Sequence, residues 1–259
     1  MIKTLMIDIE GTLVEHGRAI PGAAHAIAEL AGRGFRIRLL TNVSSRPAEE
    51  LARSLRELGF DGLSPGQIHT AADAARQFLV REGASYTDLL VPDRVMGLFG
   101  DLPLNRSAPD YVVVGDVGSR FSYENMSAAF RLLRNGARLL AMQRNLHWEA
   151  AGGAMLDAGA YVAALETACG CKAVLAGKPS ADFFCTALDG LGPDTALVVG
   201  DDQTTDIAGA RAIGARAAMV STGKGRRIDP GLAQPDHVLA SVVDLPALVN
   251  RLPSRSTLS

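Results

Sequence analysis

The run Ala196-Leu197-Val198-Val199-Gly200 carries no polar side chain. A strand that alternates apolar and polar residues hides one face. This one has to hide both, which requires helices on either side of a largely parallel sheet. Other segments fit the same scheme. Thr4 to Ile7, Phe35 to Thr41 and Arg216 to Ser221 read as further strands. Pro21 and Gly22 open a helical stretch with Ile27, Leu30 and Ala31 on one face, closed by Gly32 and Gly34. Pro47 opens another, with Leu51, Leu55 and Leu58 at helical spacing and Gly59 at its end. The polar turn 201–206 leads into an amphipathic helix over Ile207 to Ile213, ended by Gly214. Strand followed by helix, repeated, is the signature of a parallel α/β sheet.

The middle of the chain has strands and helices of its own. Asp88 to Val91, Tyr111 to Gly115 and Arg138 to Met142 read as strands, and Ser122 to Asn135 as a helix with Met126, Phe130 and Leu133 on one face. At 259 residues the chain exceeds the usual single-domain size. The expected fold is therefore α/β: a Rossmann-like parallel core from residues 1–69 and 177–259, with an inserted α/β domain at 70–176. The Ser-rich tail after Pro253 reads as frayed.

Composition excludes several classes of partner. With 26 Lys and Arg against 28 Asp and Glu, the net charge of -2 gives no electrostatic reason to expect nucleic acid or an anionic membrane. Three cysteines suit reduced thiols and a cytoplasmic setting. Cys169-Gly170-Cys171 has no second Cys or His pair at ligand spacing, so it reads as structural rather than as a metal site. Asp8 and Glu10 interrupt the N-terminal apolar run, which is therefore not a signal peptide. No apolar run approaches the ~20 residues that span a bilayer.

In open α/β sheets, ligands bind beyond the carboxyl ends of the strands. Four strand ends here carry unusual polar residues: Asp8-Ile9-Glu10-Gly11-Thr12, Thr41-Asn42, Gly177-Lys178-Pro179, and Gly200-Asp201-Asp202 with Asp206 beyond. Taken singly, each has an ordinary reading. Asp8 could form a turn, Glu10 could be a solvated charge, Thr41-Asn42 a tight turn, Lys178 a surface lysine, and Asp201 or Asp206 a helix cap. Gathered at one sheet edge, the carboxylates would repel one another and resist ionisation. A hard divalent cation relieves that repulsion, and Mg²⁺ takes a few oxygen ligands while sharing phosphate and water. Glycine at position 11 lets backbone amides approach phosphate oxygens. The set reads as metal-assisted phosphoryl transfer, with one Asp as nucleophile.

The same stretches resemble the four motifs of the haloacid dehalogenase superfamily. Asp8-Ile9-Glu10-Gly11-Thr12-Leu13 resembles its first motif and Thr41-Asn42 its second. Gly177-Lys178-Pro179 resembles its third, and Gly200-Asp201-Asp202-Gln203-Thr204-Thr205-Asp206-Ile207 its fourth. The long segment between the second and third motifs is similar to the branch with a large α/β cap. Within it, the chain is most similar to the subgroup related to phospholysine phosphohistidine inorganic pyrophosphate phosphatase. The resemblance implies an Mg²⁺-dependent phosphatase acting on a small phosphorylated metabolite. In that reading Asp8 attacks phosphorus and Glu10 is the acid/base. Lys178 neutralises charge, Thr41 and Asn42 hold the phosphoryl group, and Asp206 orients Lys178 or water from the outer shell. Mg²⁺ is held by Asp8, Asp201 and the backbone carbonyl of Glu10. Arg46 from the core side, and Arg144 and His147 in the loop 143–154 that also holds Trp148, are expected to meet the leaving group. Large-capped members often dimerise, so a homodimer is expected.

Glu10 departs from the family pattern: most active members have Asp there, although the subgroup this chain most resembles tolerates other residues at this position. The competing reading is a weakly active or non-catalytic member that binds a phospho-ligand or a protein. A receiver-type signalling domain also uses an acceptor Asp with Thr and Lys, but the inserted domain and the Asp-x-Glu-Gly-Thr order disfavour it. A dehalogenase would not need the metal-binding acid Asp201.

Overall fold

Thr4–Asp8 is buried at all five positions and is paired along both edges. It lies between Ala196–Gly200 and Arg36–Thr41 in parallel register, with Leu5 opposite both Leu197 and Ile37. These strands belong to a six-stranded sheet in the order His237–Leu239, Arg216–Val220, Ala196–Gly200, Thr4–Asp8, Arg36–Thr41, Ile68–Thr70. The computed structural model describes residues 1–150 and 152–252. The Ser-rich tail and Ala151 lie outside the described residues.

The chain packs as two compact units. One holds 1–41, 48–69 and the chain from Lys178 onward; the other holds 42–47 and 70–177. In the first unit, Ala23–Gly32 buries Ala26, Ile27 and Leu30, while Ala31, expected on the same face, is exposed; Ala48–Glu57 buries Leu51, Ala52 and Leu55, with Leu51 and Leu55 where their spacing places them. Each fully buried Leu or Ile contributes about 1.5–3 kcal/mol. Gly209 sits inside the helix Ala208–Ala212, where glycine costs about 1 kcal/mol against alanine. The ring of Phe184 occupies the space a Cβ would need there, so packing of the helix Ala181–Leu188 requires the glycine.

The second unit is built on a four-stranded parallel sheet, in the order Val174–Leu175, Arg138–Ala141, Tyr111–Val114, Tyr86–Leu90. Its core gathers Leu90, Val112, Val114, Leu139 and Ala141 from the strands. Ala129 and Leu133 come from the helix Tyr123–Arg134, and Val162 and Leu165 from Ala158–Cys169. Both sheets are thus parallel and accompanied by helices, the α/β architecture expected from the sequence.

Some details differ from the sequence reading. The strand leading to Lys178, Val174–Leu175, pairs with Arg138–Ala141 and belongs to the second unit's sheet, so Lys178 is not carried on a core strand end. The stretch 143–154 is no plain loop: His147–Ala150 and Gly153–Leu156 form an antiparallel hairpin. Trp148 is 48% exposed there. The polar turn after Asp202 is a π-helical turn, Gln203–Ile207, preceding the α-helix. No helix among the described residues is long and apolar enough to cross a membrane.

His69 is buried on the edge strand Ile68–Thr70. The Thr186 hydroxyl, 3.1 Å from its Nε2, donates to the carbonyls of Asp182 and Phe183, so Nε2 carries the proton and donates to Thr186. Burial, helped by the charge of Arg38, lowers the His69 pKa from 6.5 to about 4. The folded state therefore binds fewer protons than the unfolded state between those values, and this contribution to stability is lost as pH falls from 6.5 to 4. At 1.36 kcal/mol per pH unit, the loss is worth about 3 kcal/mol. Denaturant titrations of the parent and His69→Gln should show the parent's advantage shrinking by about that amount over this window. A pH-independent difference would contradict the assignment.

Candidate active site

The apolar strand Thr4–Asp8 ends on a buried carboxylate because the chain turns at once. The Ile9 carbonyl accepts the N–H groups of Leu13 and Val14 at 2.9 and 3.0 Å, and the Gly11 N–H returns to the Val14 carbonyl at 2.7 Å. Gly11 takes φ +83°, a left-handed conformation that other residues rarely adopt. The turn brings the buried Thr12 hydroxyl back to donate to Asp8 Oδ2 at 3.2 Å.

Lys178 completes the site. Its Nζ lies 2.5 Å from Asp8 Oδ1 and 2.7 Å from Asp206 Oδ1, with all three side chains buried. Asp206 reaches this position on the π-helical turn after the strand Ala196–Gly200. A Cβ at Gly200 would enter the Asp206 carboxyl group, so the glycine permits the approach. The other Asp206 oxygen accepts the Asp202 N–H at 3.2 Å. Asp201 follows the same strand end, and oxygens of Asp8, Asp201 and Asp206 lie within 4.8 Å of one another.

The electrostatics follow from burial. Desolvation raises Asp8 to about 6 against the pull of Lys178, with the Asp201 charge adding to the rise. Desolvation and then Asp206 raise Asp201 to about 6, and desolvation raises Asp206 to about 7 although Lys178 pulls it down. Burial alone would lower Lys178, but Asp206 and Asp8 outweigh it and hold the ammonium above its ordinary range. One lysine cannot balance three ionised carboxylates. The surplus negative charge, presented by hard oxygen donors, fits a divalent cation such as Mg²⁺.

Asp8, Lys178, Asp201 and Asp206 are therefore brought together within the first unit. The Glu10 side chain is exposed, one turn from Asp8, and its charge contributes to the raised Asp8 pKa. Thr41 is buried at the end of Arg36–Thr41. Asn42 and Arg46, which the sequence places on the core side, instead group with the second unit, where the Ser44 hydroxyl accepts the Asp116 N–H at 2.9 Å. Arg144, also in that unit, forms an ion pair with the buried Glu166, and His147 is exposed at the start of the hairpin. The loop after Arg216–Val220 carries no motif, yet its Lys224 N–H donates to Asp201 Oδ2 at 2.7 Å. A lone lysine between two glycines carries no signal that would have marked it.

Residues 5–95 match the family model described as haloacid dehalogenase-like hydrolase, and residues 175–245 match a second, HAD-hydrolase-like model. The chain is 37% identical over 257 residues to the phospholysine phosphohistidine inorganic pyrophosphate phosphatase of Rattus norvegicus, covering 94% of each chain. Among solved structures it resembles the p-nitrophenyl phosphatase from Archaeoglobus fulgidus, with TM-score 0.86 and 27% identity over 95% of this chain and 99% of that one. It also resembles the glycerol phosphate phosphatase of Mycobacterium tuberculosis in complex with magnesium, with TM-score 0.84 and 28% identity over 94% of this chain and 76% of that one.

Removing the ammonium from between Asp8 and Asp206 leaves two buried carboxylates without a counter-charge, a loss of about 3–5 kcal/mol. Lys178→Met should lower the unfolding free energy at pH 7 by that order. The acids of the variant have folded pKa values raised further above their unfolded ones, so they destabilise it increasingly as pH rises. The deficit should shrink at pH 5, where protonation relieves it. Chemical denaturation at the two pH values tests this, and an equal deficit at both would contradict it.

Proposed function

The chain belongs to the haloacid dehalogenase-like hydrolases, and from that membership we propose that it is a Mg²⁺-dependent phosphatase of small phosphorylated metabolites. The observation that carries the reading is Lys178 bridging Asp8 and Asp206 beside the Asp201 carboxylate. Support comes also from phosphatases among the relatives and from a magnesium complex among the structural neighbours. Asp8, Asp201 and the backbone carbonyl of Glu10 would hold the cation. Mg²⁺ bound there would neutralise the carboxylates and the phosphoryl oxygens. Three cysteines without a disulfide suit the reducing cytoplasm.

Each remaining step falls to residues of the chain. Lys178 and Thr12 fix the orientation of the Asp8 carboxylate, and its pKa of about 6 leaves it anionic at neutral pH. An Asp8 oxygen forms a bond to phosphorus while the bond from phosphorus to the leaving oxygen breaks. The electron pair goes to that oxygen, which takes a proton from Glu10. Glu10 then removes a proton from water, whose oxygen attacks phosphorus and releases phosphate from Asp8. Thr41 and Asn42 hold the phosphoryl oxygens, and Asp206 keeps Lys178 in place. The second unit acts as a cap, with Arg46, Arg144 and His147 selecting among leaving groups.

Glu places its carboxyl about 1.5 Å further along than Asp would, and a misplacement near 1 Å costs on the order of a hundredfold in rate. The exposed Glu10 therefore favours slow turnover.

Hydrolysis of an aryl phosphate should stop on chelation of Mg²⁺ and resume on its return. In Asp8→Asn it should fall below about a thousandth of the parent rate. Parental activity in a stringently purified Asp8→Asn would overturn the mechanism. For Glu10→Gln, turnover of an alkyl phosphate should drop on the order of 10²-fold or more, with a smaller loss on an activated aryl phosphate that needs little protonation. An equal rate on the alkyl substrate would remove Glu10 as the proton carrier.

A further inference from the structure

The loop following Arg216–Val220 lies outside the four motifs, yet it grips the Asp201 carboxylate. The Lys224 N–H donates to Asp201 Oδ2 at 2.7 Å, and the Lys224 ammonium pairs with Asp202 Oδ2 at 2.8 Å. Lys224 thus holds two consecutive acids, one through its backbone and one through its side chain. The Thr222 hydroxyl donates to the Gly11 carbonyl at 2.5 Å, tying the same loop to the turn after Asp8. The Gly225 N–H closes the loop on the Thr222 carbonyl at 2.9 Å.

Glycine makes this close fit possible. A Cβ at Gly11 or at Gly223 would be driven into Asp201 Oδ2, and both residues have positive φ, +83° and +53°. That oxygen is therefore enclosed between two glycines and held by an amide. Among the described residues, no hydrogen bond falls on the other oxygen, Oδ1.

We propose that Lys224 is a positioning residue for cation binding: with Thr222 and Gly223 it braces one oxygen of Asp201 so that the other is presented to Mg²⁺. The inference rests on the Mg²⁺ reading given above. Lys224 can influence the cation in two ways of opposite sign. As a positive charge near an acidic cluster it repels Mg²⁺, and its removal would tighten binding. As a brace its ammonium, paired with Asp202, anchors the backbone amide that holds Asp201; losing the side chain leaves that amide in place but without its anchor, and so weakens binding. Groups that orient metal ligands typically contribute 10–100-fold in affinity, whereas the Lys224 ammonium is largely exposed and its charge is screened by solvent. The brace should prevail.

Isothermal titration of Mg²⁺ into the metal-stripped, substrate-free protein reads this without turnover. Lys224→Met should raise the Mg²⁺ Kd about tenfold. Lys224→Arg, which keeps the ion pair to Asp202, should recover most of it. Thr222→Val leaves every charge unchanged and should raise the Kd in the same direction. In turnover assays the Mg²⁺ requirement of Lys224→Met should rise by the factor found in titration, with kcat at saturating Mg²⁺ reduced far less. Melting curves of the metal-free variants establish that each is folded. If Lys224→Met binds Mg²⁺ as tightly as the parent, or more tightly, the brace is overturned while the phosphatase reading stands. If the parent itself binds no Mg²⁺, both fall.

Discussion

The site depends on one buried ammonium group. Lys178 sits between Asp8 and Asp206 at ion-pair distance, and none of the three side chains has appreciable contact with water. Carboxylates buried in this way resist ionisation, and their raised pKa values express that cost. The lysine offsets part of it and fixes the direction in which the Asp8 oxygens point. Because one cation cannot balance Asp8, Asp201 and Asp206 together, the site retains surplus negative charge. The same imbalance that strains the free protein suits the site to the divalent ion proposed for it.

Sheet order makes the cluster possible. Thr4–Asp8 and Ala196–Gly200 come from opposite ends of the chain yet pair directly, so their carboxyl ends, and with them Asp8 and Asp201, emerge side by side. Apolar residues hold both strands at the centre of the sheet. Glycines at the strand ends then allow charged groups to approach more closely than a side chain would permit. Gly200 makes room for Asp206, and Gly11 and Gly223 make room for Asp201. The chemistry of the acids and the absence of Cβ atoms beside them belong to one design.

Much of this was legible in the sequence, for identifiable reasons. The core strands announce themselves because burial on both faces leaves unbroken apolar runs, and the polar residues that end them stand out by contrast. Lys178 is marked by its motif, but the local pattern does not show its route. The short strand before it, Val174–Leu175, is only partly buried, and its sheet membership is decided by pairing with Arg138–Ala141, which local pattern cannot show. Ile68–Thr70 was missed because three residues, two of them polar, have no readable period. The hairpin around Trp148 reads as a loop because its glycines conceal the strands on either side. Lys224 left no trace, since its contact with Asp201 uses the backbone amide, which every residue but proline possesses.

The central claim is that the carboxylate held by Lys178 forms the bond to phosphorus. Rapid acid quenching during turnover of a ³²P-labelled alkyl phosphate, followed by borohydride reduction and peptide mass spectrometry, tests it directly. An acyl phosphate is reduced to the alcohol, so the account predicts protein-bound label before reduction and homoserine at position 8 alone after it. Turnover with no acid-stable label and no reduced residue, or with the reduced residue at Glu10, Asp201 or Asp206, would contradict it.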